Sequence, residues 1–162
     1  MASCRHSYQR LVPVLKKVNR VLFLCSGNYY RSRFAEIFFN WHAQQRGLCW
    51  TADSRGLALD ERNAGPISRH TLQTLSARGI LSDSFTRLPV LAADADFAAA
   101  HCIVAVKEAE HRHLIESRFP AWHGRVEYWH VHDLDGALPH EAISELEQHV
   151  LKLLDRLAIF YN

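Results

Sequence analysis

Residues 21–32, which read VLFLCSGNYYRS, decide the fold of this chain. The apolar run 21–24 leads into Cys25 and is followed by turn residues, and such a run is typical of a strand buried on both faces. After Arg31 the apolar side chains follow helical spacing. They are Phe34, Ile37, Phe38 and Trp41. The stretch therefore predicts a strand that ends at Cys25, a short loop and a helix.

The loop after Cys25 has the features of an anion-binding site. Successive backbone N–H groups and the positive end of a helix dipole attract an anion, and such a site favours a thiolate over a thiol. Arg31 adds a guanidinium that can hold two oxygens of a phosphate, and Ser32 can donate a hydrogen bond to the thiolate. The pattern predicts a cysteine nucleophile in a phosphate pocket. A buried structural thiol is the alternative, which the strand–loop–helix context disfavours.

The same residues resemble the low-molecular-weight protein tyrosine phosphatase family. Its signature is Cys-x-Gly-Asn-x-x-Arg-Ser, usually followed by Pro-x-Ala-Glu, and this chain matches it at residues 25–32 and at Ala35-Glu36. Further matches, in the order of the family, are residues 53–56, 77–80 and 103–106 and an aspartate loop near residue 133. The resemblance spans about residues 19 to 160. It implies an α/β fold of three layers, in which a four-stranded parallel sheet has helices on both faces.

The resemblance also implies an activity, which is phosphomonoester hydrolysis through a cysteinyl-phosphate intermediate, most readily of phosphotyrosine in a protein. Cys25 would be the nucleophile, and Arg31 would stabilise the transferred phosphoryl group. The other loop residues would bind the phosphate: Ser26, Gly27, Asn28, Tyr29, Tyr30 and Ser32. Asn28 tolerates the left-handed backbone that a tight loop needs. The chemistry needs no cofactor and no metal.

The general acid of the family is an aspartate in an Asp-Pro-aromatic loop, and the resemblance assigns this role to Asp133. The loop follows the predicted strand 126–131, whose carboxyl end should face Cys25 because sites in such sheets form at that edge. The sequence departs from the family pattern, with Leu134 in place of proline and Asp135 in place of the aromatic residue. Asp135 therefore remains the competing candidate for the acid.

The rest of the chain alternates predicted helices and strands, which favours parallel pairing with right-handed crossovers. The predicted helices are residues 31–46, a segment that ends at Arg78-Gly79, 108–118 and 140–159. The predicted later strands are residues 48–52, 102–106 and 126–131, and residues 53–66 are predicted to be rich in turns. Within residues 81–100 an Ala-Asp pattern could mimic a strand, although alanine favours helix or coil.

Length and composition limit the possible classes of protein. With 162 residues, 48% hydrophobic and 22% charged, the chain is expected to form one globular domain, residues 19–162, after a basic N-terminal extension, residues 1–18. A net charge of +2 is too small to indicate a nucleic-acid partner, and no apolar run is long enough for a membrane span. The four cysteines, 4, 25, 49 and 102, form no Cys-x-x-Cys pair and indicate a cytoplasmic protein with free thiols.

Two other functions remain open on the sequence. Arsenate reduction on the same scaffold would need further cysteines, and only Cys102 follows residue 49. A non-catalytic phosphate- or phosphopeptide-binding module would keep the loop but would not need a nucleophile. The histidine pairs His111-x-His113 and His130-x-His132 suggest metal ligands, but no cysteine or carboxylate set completes a tetrahedral site, so ordinary histidines are favoured.

Overall fold

A parallel four-stranded sheet lies at the centre of the protein, as the computed structural model of residues 17–131 and 139–160 describes it. In chain order the strands are β1 (Asn19–Cys25), β2 (Trp50–Gly56), β3 (Cys102–Ala105) and β4 (Val126–Tyr128). Their order across the sheet is β2-β1-β3-β4, and all neighbours are parallel. The fold predicted above is confirmed, with β1 in the interior of the sheet.

Helices cover both faces of this sheet because β1 is apolar on both sides. They are α1 (Arg31–Gln45), α2 (Arg69–Ala77), α3 (Asp94–Ala99), α4 (Glu108–Arg118) and α5 (Pro139–Phe160). Phe23 belongs to the core formed with α1 and α5, whereas Leu22 and Leu24 belong to the core formed with α3 and α4. No helix within residues 17–131 or 139–160 is long and apolar enough to cross a membrane.

Two strands differ from the sequence prediction. β2 continues to Gly56, although residues 53–56 were predicted to belong to a turn-rich segment. Its polar side chains fit the strand because they find partners: Asp53 pairs with Arg55, and Ser54 is buried among hydrogen-bonding groups. β4 ends at Tyr128 instead of residue 131. The chain still follows β3 beyond that point, since Trp129 N–H donates to Ala105 O at 2.8 Å, but the regular parallel pairing is lost.

Candidate active site

Cys25 is the last residue of β1, at the point where the chain leaves the middle of the sheet. The loop turns sharply there, with Asn28 in the left-handed region at φ 48°, and α1 begins at Arg31. Leu57 N–H donates to the carbonyl of Cys25, and Ala58 N–H donates to that of Ser26, both at 2.9 Å. The loop is therefore fixed from the side of β2, and the thiol lies at the amino end of α1.

Cys25 lies in a pocket of about 300 Å³ and is only 2% exposed. The pocket is lined by Cys25, Gly27, Tyr29, Tyr30, Arg31, Asn63 and Ser68. Tyr29 Oη donates to Ala64 O at 2.7 Å, which ties the wall of the pocket to the loop after β2. Tyr30 also packs against the core that α1 shares with α5. Five of the predicted loop residues therefore share one cavity.

The thiol of Cys25 lies 2.9 Å from Ser32 Oγ. Ser32 is fully buried and accepts a hydrogen bond of 3.0 Å from Asn28 Nδ2. Either atom can donate in this contact; once Cys25 is a thiolate, the Ser32 hydroxyl is the donor. The structure thus brings Ser32 and Cys25 into the contact that the sequence suggested.

Asn28 fixes the loop through hydrogen bonds at both atoms of its side-chain amide, Nδ2 and Oδ1. Nδ2 donates to Ser32 and, at 2.8 Å, to Ser54 Oγ. Oδ1 accepts from Val90 N–H at 2.9 Å and from Arg87 Nη1 at 3.2 Å. These bonds offset the cost of the left-handed backbone of a non-glycine residue, which is about 1–3 kcal/mol.

A buried charged cluster, defined here as the ion pair of Arg33 and Glu36 with the buried Ser54 and the half-buried Arg87, supports Asn28. Glu36 Oε2 accepts from Arg33 Nη1 at 2.7 Å, from Arg87 Nη2 at 2.8 Å and from Ser54 Oγ. Arg33 also donates to Ser84 O. The pKa of the Arg33 guanidinium lies below its ordinary value, because burial lowers it by more than the neighbouring Glu36 carboxylate raises it. One carboxylate therefore holds two guanidinium groups beneath the loop.

Arg31 points from the start of α1 into the pocket and forms an ion pair with Glu110 on α4, with 2.9 Å between Nη2 and Oε2. No sequence pattern indicates that Glu110, Asn63, Ser68 or the buried charged cluster as a whole belongs to the site. Within the cluster, Glu36 and Arg33 carry a local signal, since Glu36 belongs to the matched Ala-Glu pair and Arg33 lies three residues before it on α1, but Arg87 follows no local pattern.

Asp133 and Asp135 lie outside the described residues, so the choice between them stays a prediction. The described chain before them runs along the β4 side of the sheet. Val131 N–H donates to Val106 O at 3.2 Å, and Val106 N–H donates to Leu24 O at 3.1 Å, next to Cys25. Val131, the last described residue before Asp133, therefore lies two strands away from the thiol, at the same carboxyl edge.

The two other cysteines of the described residues lie far from Cys25. Cys102 pairs with Val21 in the sheet, four residues before Cys25, which is about 13 Å at the rise of a strand. Cys49 lies at the opposite end of the sheet, beside Asn19. Disulfides need Cα atoms within about 7 Å. Burial and the nearby charge of Glu127 raise the pKa of the Cys102 thiol to about 11. Neither thiol is placed for the redox relay that arsenate reduction would require.

One histidine of each pair has ordinary partners in the described structure. His111 is fully buried and accepts a hydrogen bond at Nδ1 from Lys107 N–H, at 3.1 Å. His130 Nε2 lies 3.1 Å from Glu108, and His132 is outside the described residues. Within residues 17–131 and 139–160, no three histidine, cysteine or carboxylate side chains come together as a metal site would require.

Comparison with known proteins shows which family the chain resembles. Residues 20–158 match a family model described as low molecular weight phosphotyrosine protein phosphatase. No curated protein matches the sequence significantly.

Several solved structures have a similar fold. YfkJ from Bacillus subtilis is 24% identical with a TM-score of 0.76, over 87% of this chain and 95% of that one. A low molecular weight protein tyrosine phosphatase from Streptococcus pyogenes is 23% identical with a TM-score of 0.69, over 90% and 95% of the two chains. The YwlE arginine phosphatase from Geobacillus stearothermophilus is 22% identical with a TM-score of 0.69, over 87% and 94%. Solved structures of this fold thus include a protein described as a tyrosine phosphatase and one described as an arginine phosphatase.

Proposed function

Because the chain belongs to the low molecular weight phosphotyrosine protein phosphatase family, we propose that it is a protein-tyrosine phosphatase with a cysteinyl-phosphate intermediate. One observation carries the proposal: the Cys25 sulfur lies in the pocket 2.9 Å from Ser32 Oγ, with Arg31 in the same wall. A thiol, a hydroxyl donor and a guanidinium at a helix N-terminus are suited to nucleophilic attack on a phosphate ester.

The reaction has two steps. The Cys25 thiolate attacks phosphorus, and a sulfur–phosphorus bond forms as the bond to the leaving oxygen breaks. Loop N–H groups and Arg31 stabilise the charge on the other phosphate oxygens, and Asp133 donates a proton to the leaving oxygen. In the second step the Asp133 carboxylate takes a proton from water, whose oxygen attacks phosphorus and releases inorganic phosphate and the thiolate. Ser32 stabilises that thiolate by donating to the sulfur.

The walls of the pocket support phosphotyrosine as the substrate. Tyr29 and Tyr30 border the cavity, and the hydrogen bond to Ala64 restrains the Tyr29 ring. A substrate ring can pack against such side chains, and aromatic pairs contribute about 0.5–1.5 kcal/mol beyond the area they bury. A serine or arginine substrate offers no ring for this contact.

A substrate panel tests the proposal. The protein is assayed with para-nitrophenyl phosphate and with three peptides that differ only in carrying phosphotyrosine, phosphoserine or phosphoarginine. Phosphoarginine is included because a relative of the same fold is described as an arginine phosphatase. We expect kcat/KM to be highest for phosphotyrosine. A preference for phosphoarginine would overturn the substrate, and binding of the peptides without hydrolysis of any would indicate a binding module.

Arg31→Lys is expected to lower kcat/KM by an amount equivalent to roughly 2.7–4 kcal/mol of transition-state stabilisation, the scale of losing one preorganised donor. Lysine keeps the positive charge but cannot hold two phosphate oxygens in one plane. The matched control is Arg62→Lys, because Arg62 is exposed and pairs with Asp60, two residues away in the chain. Steady-state kinetics with para-nitrophenyl phosphate measure both variants. Equal activities of the two would place Arg31 outside the reaction.

Asp133→Asn is expected to slow the hydrolysis of phenyl phosphate at least about 10²-fold, because a poor leaving group needs the proton of a general acid. The effect on para-nitrophenyl phosphate should be smaller, since its leaving group is already stable as an anion. Asp135→Asn serves as the matched comparison and should change both rates little. If the dependence on the leaving group instead follows Asp135, the acid is two residues further along the loop.

A further inference from the structure

Glu110 reaches from the first turn of α4 to the arginine of the phosphate pocket. Its two carboxylate oxygens have different partners: Oε2 lies 2.9 Å from Arg31 Nη2, and Oε1 lies 2.9 Å from Lys107 Nζ. The side chain of Arg31 is 12% exposed and that of Glu110 is 29% exposed. A charge-assisted hydrogen bond so largely removed from water is stronger than an exposed ion pair.

Two further side chains hold the carboxylate in place. Lys107 N–H donates to His111 Nδ1, so this nitrogen carries no proton and the neutral ring has its proton on Nε2. Nε2 lies 3.3 Å from Ser26 Oγ and therefore donates to it. The Ser26 hydroxyl in turn donates to Glu110 Oε2 over a longer contact of 3.4 Å. A directed chain of hydrogen bonds thus runs from the backbone of Lys107, just before α4, through His111 and Ser26 to the carboxylate.

The local balance of charge explains how a carboxylate can lie beside a phosphate site. Alone, it would repel a phosphate ester. Here Glu110 lies between two cations, Arg31 and Lys107, so the group of three keeps a positive charge. A guanidinium presents five N–H donors in one rigid plane, and a carboxylate on one of its nitrogens fixes that plane. An arginine side chain otherwise carries about 2 kcal/mol of rotamer entropy.

We propose that Glu110 is a positioning residue for Arg31, which it holds oriented toward the pocket before the phosphate binds. Ser26 and His111 keep Glu110 in place, and Lys107 neutralises its second oxygen. The inference rests on the proposed function, because the arginine must act on a phosphoryl group for its orientation to matter. Preorganised donors avoid reorganisation at the moment of reaction, and small errors in their placement are costly.

The test is a double-mutant cycle between Glu110→Gln and Arg31→Lys. Glutamine keeps the shape of glutamate but removes the charge. With Arg31 intact, Glu110→Gln is expected to lower kcat by about 10- to 100-fold, with a smaller change in KM. Residues that orient metal ligands have effects of this size, and a small misplacement of a catalytic group can cost about 100-fold. In the Arg31→Lys background the same change should have an effect of less than about twofold, because Glu110 acts through the guanidinium.

Glu116→Gln is the matched control, since Glu116 lies on the same helix but pairs with Arg112. It should leave kcat unchanged. Equal losses from Glu110→Gln in both Arg31 backgrounds would overturn the inference, and so would a lower KM in Glu110→Gln, which would show that the carboxylate competes with the substrate.

Calorimetric binding of inorganic phosphate separates this inference from the proposed function. Glu110→Gln should weaken phosphate binding with Arg31 intact and not in the Arg31→Lys background. If that coupling is present while the wild-type chain turns over no phosphate ester, the proposed function fails and the positioning role stands. If turnover is present without coupling in binding or in kcat, only the positioning role fails.

Discussion

Cys25→Ser is expected to abolish turnover while the protein still binds inorganic phosphate. The serine hydroxyl is a weak nucleophile without an activating base, and removing an enzyme nucleophile can cost a factor on the order of 10⁶ in kcat. The phosphate-binding site itself should persist, because it consists of loop backbone, the Arg31 side chain and a helix N-terminus. Ser32 can still donate to the oxygen that replaces the sulfur.

The measurement combines two readouts on one variant. Single-turnover hydrolysis of para-nitrophenyl phosphate measures the chemistry, and calorimetry with inorganic phosphate measures binding. Cys49→Ser is the matched control, because Cys49 lies at the opposite end of the sheet, beside Asn19, and its loss should leave both readouts unchanged. Hydrolysis at a rate close to wild type in Cys25→Ser would rule out a cysteinyl-phosphate intermediate.

Glu36→Gln is expected to lower the free energy of unfolding by about 3–5 kcal/mol, the range found when one partner of a buried ion pair is removed. Glu36 is 5% exposed and Arg33 is not exposed at all. Without the carboxylate, Arg33 and Arg87 would face each other around a neutral side chain, and the charge of Arg87 already lowers the pKa of Arg33. The amide also brings an NH₂ donor toward groups that are themselves donors. Native proteins have about 5–15 kcal/mol of stability in total, so the loss is large.

Urea unfolding followed by tryptophan fluorescence measures this change. Asp155→Asn provides the control, because Asp155 forms an ion pair with Arg46 but its side chain is 68% exposed; such pairs contribute about 0–1 kcal/mol. Equal midpoints for the two variants would mean that Glu36 carries no more of the stability than a surface carboxylate. If Glu36→Gln folds, its activity should also fall, because Ser54 and Arg87 would lose the group that holds them against Asn28.

The local sequence determined the centre of this protein. An apolar run, a cysteine and a glycine-asparagine turn specify a strand, a loop and a helix through interactions between near neighbours. The position of Cys25 at a strand end and the left-handed backbone of Asn28 follow from that local order. Ser32 lies seven residues from Cys25, and a tight turn into a helix brings it back beside the sulfur. These parts were predicted because each depends on a few consecutive residues.

The fold alone decided what surrounds the loop. Arg31 and Glu110 are 79 residues apart in the chain, and Asn28 and Arg87 are 59 apart. Neither pair has a periodic or motif signal, because a charged residue on a helix or a loop usually faces solvent. Arg31 and Glu110 meet because parallel pairing sets β1 beside β3, and α4 begins where β3 ends. Arg87 comes to Asn28 because the chain that follows it passes the end of β2, where Leu91 pairs with Gly56. The strand at residues 53–56 is likewise decided by the fold. In isolation, polar residues favour turns, and buried partners such as Asn28 and Glu36 stabilise Ser54 within a strand.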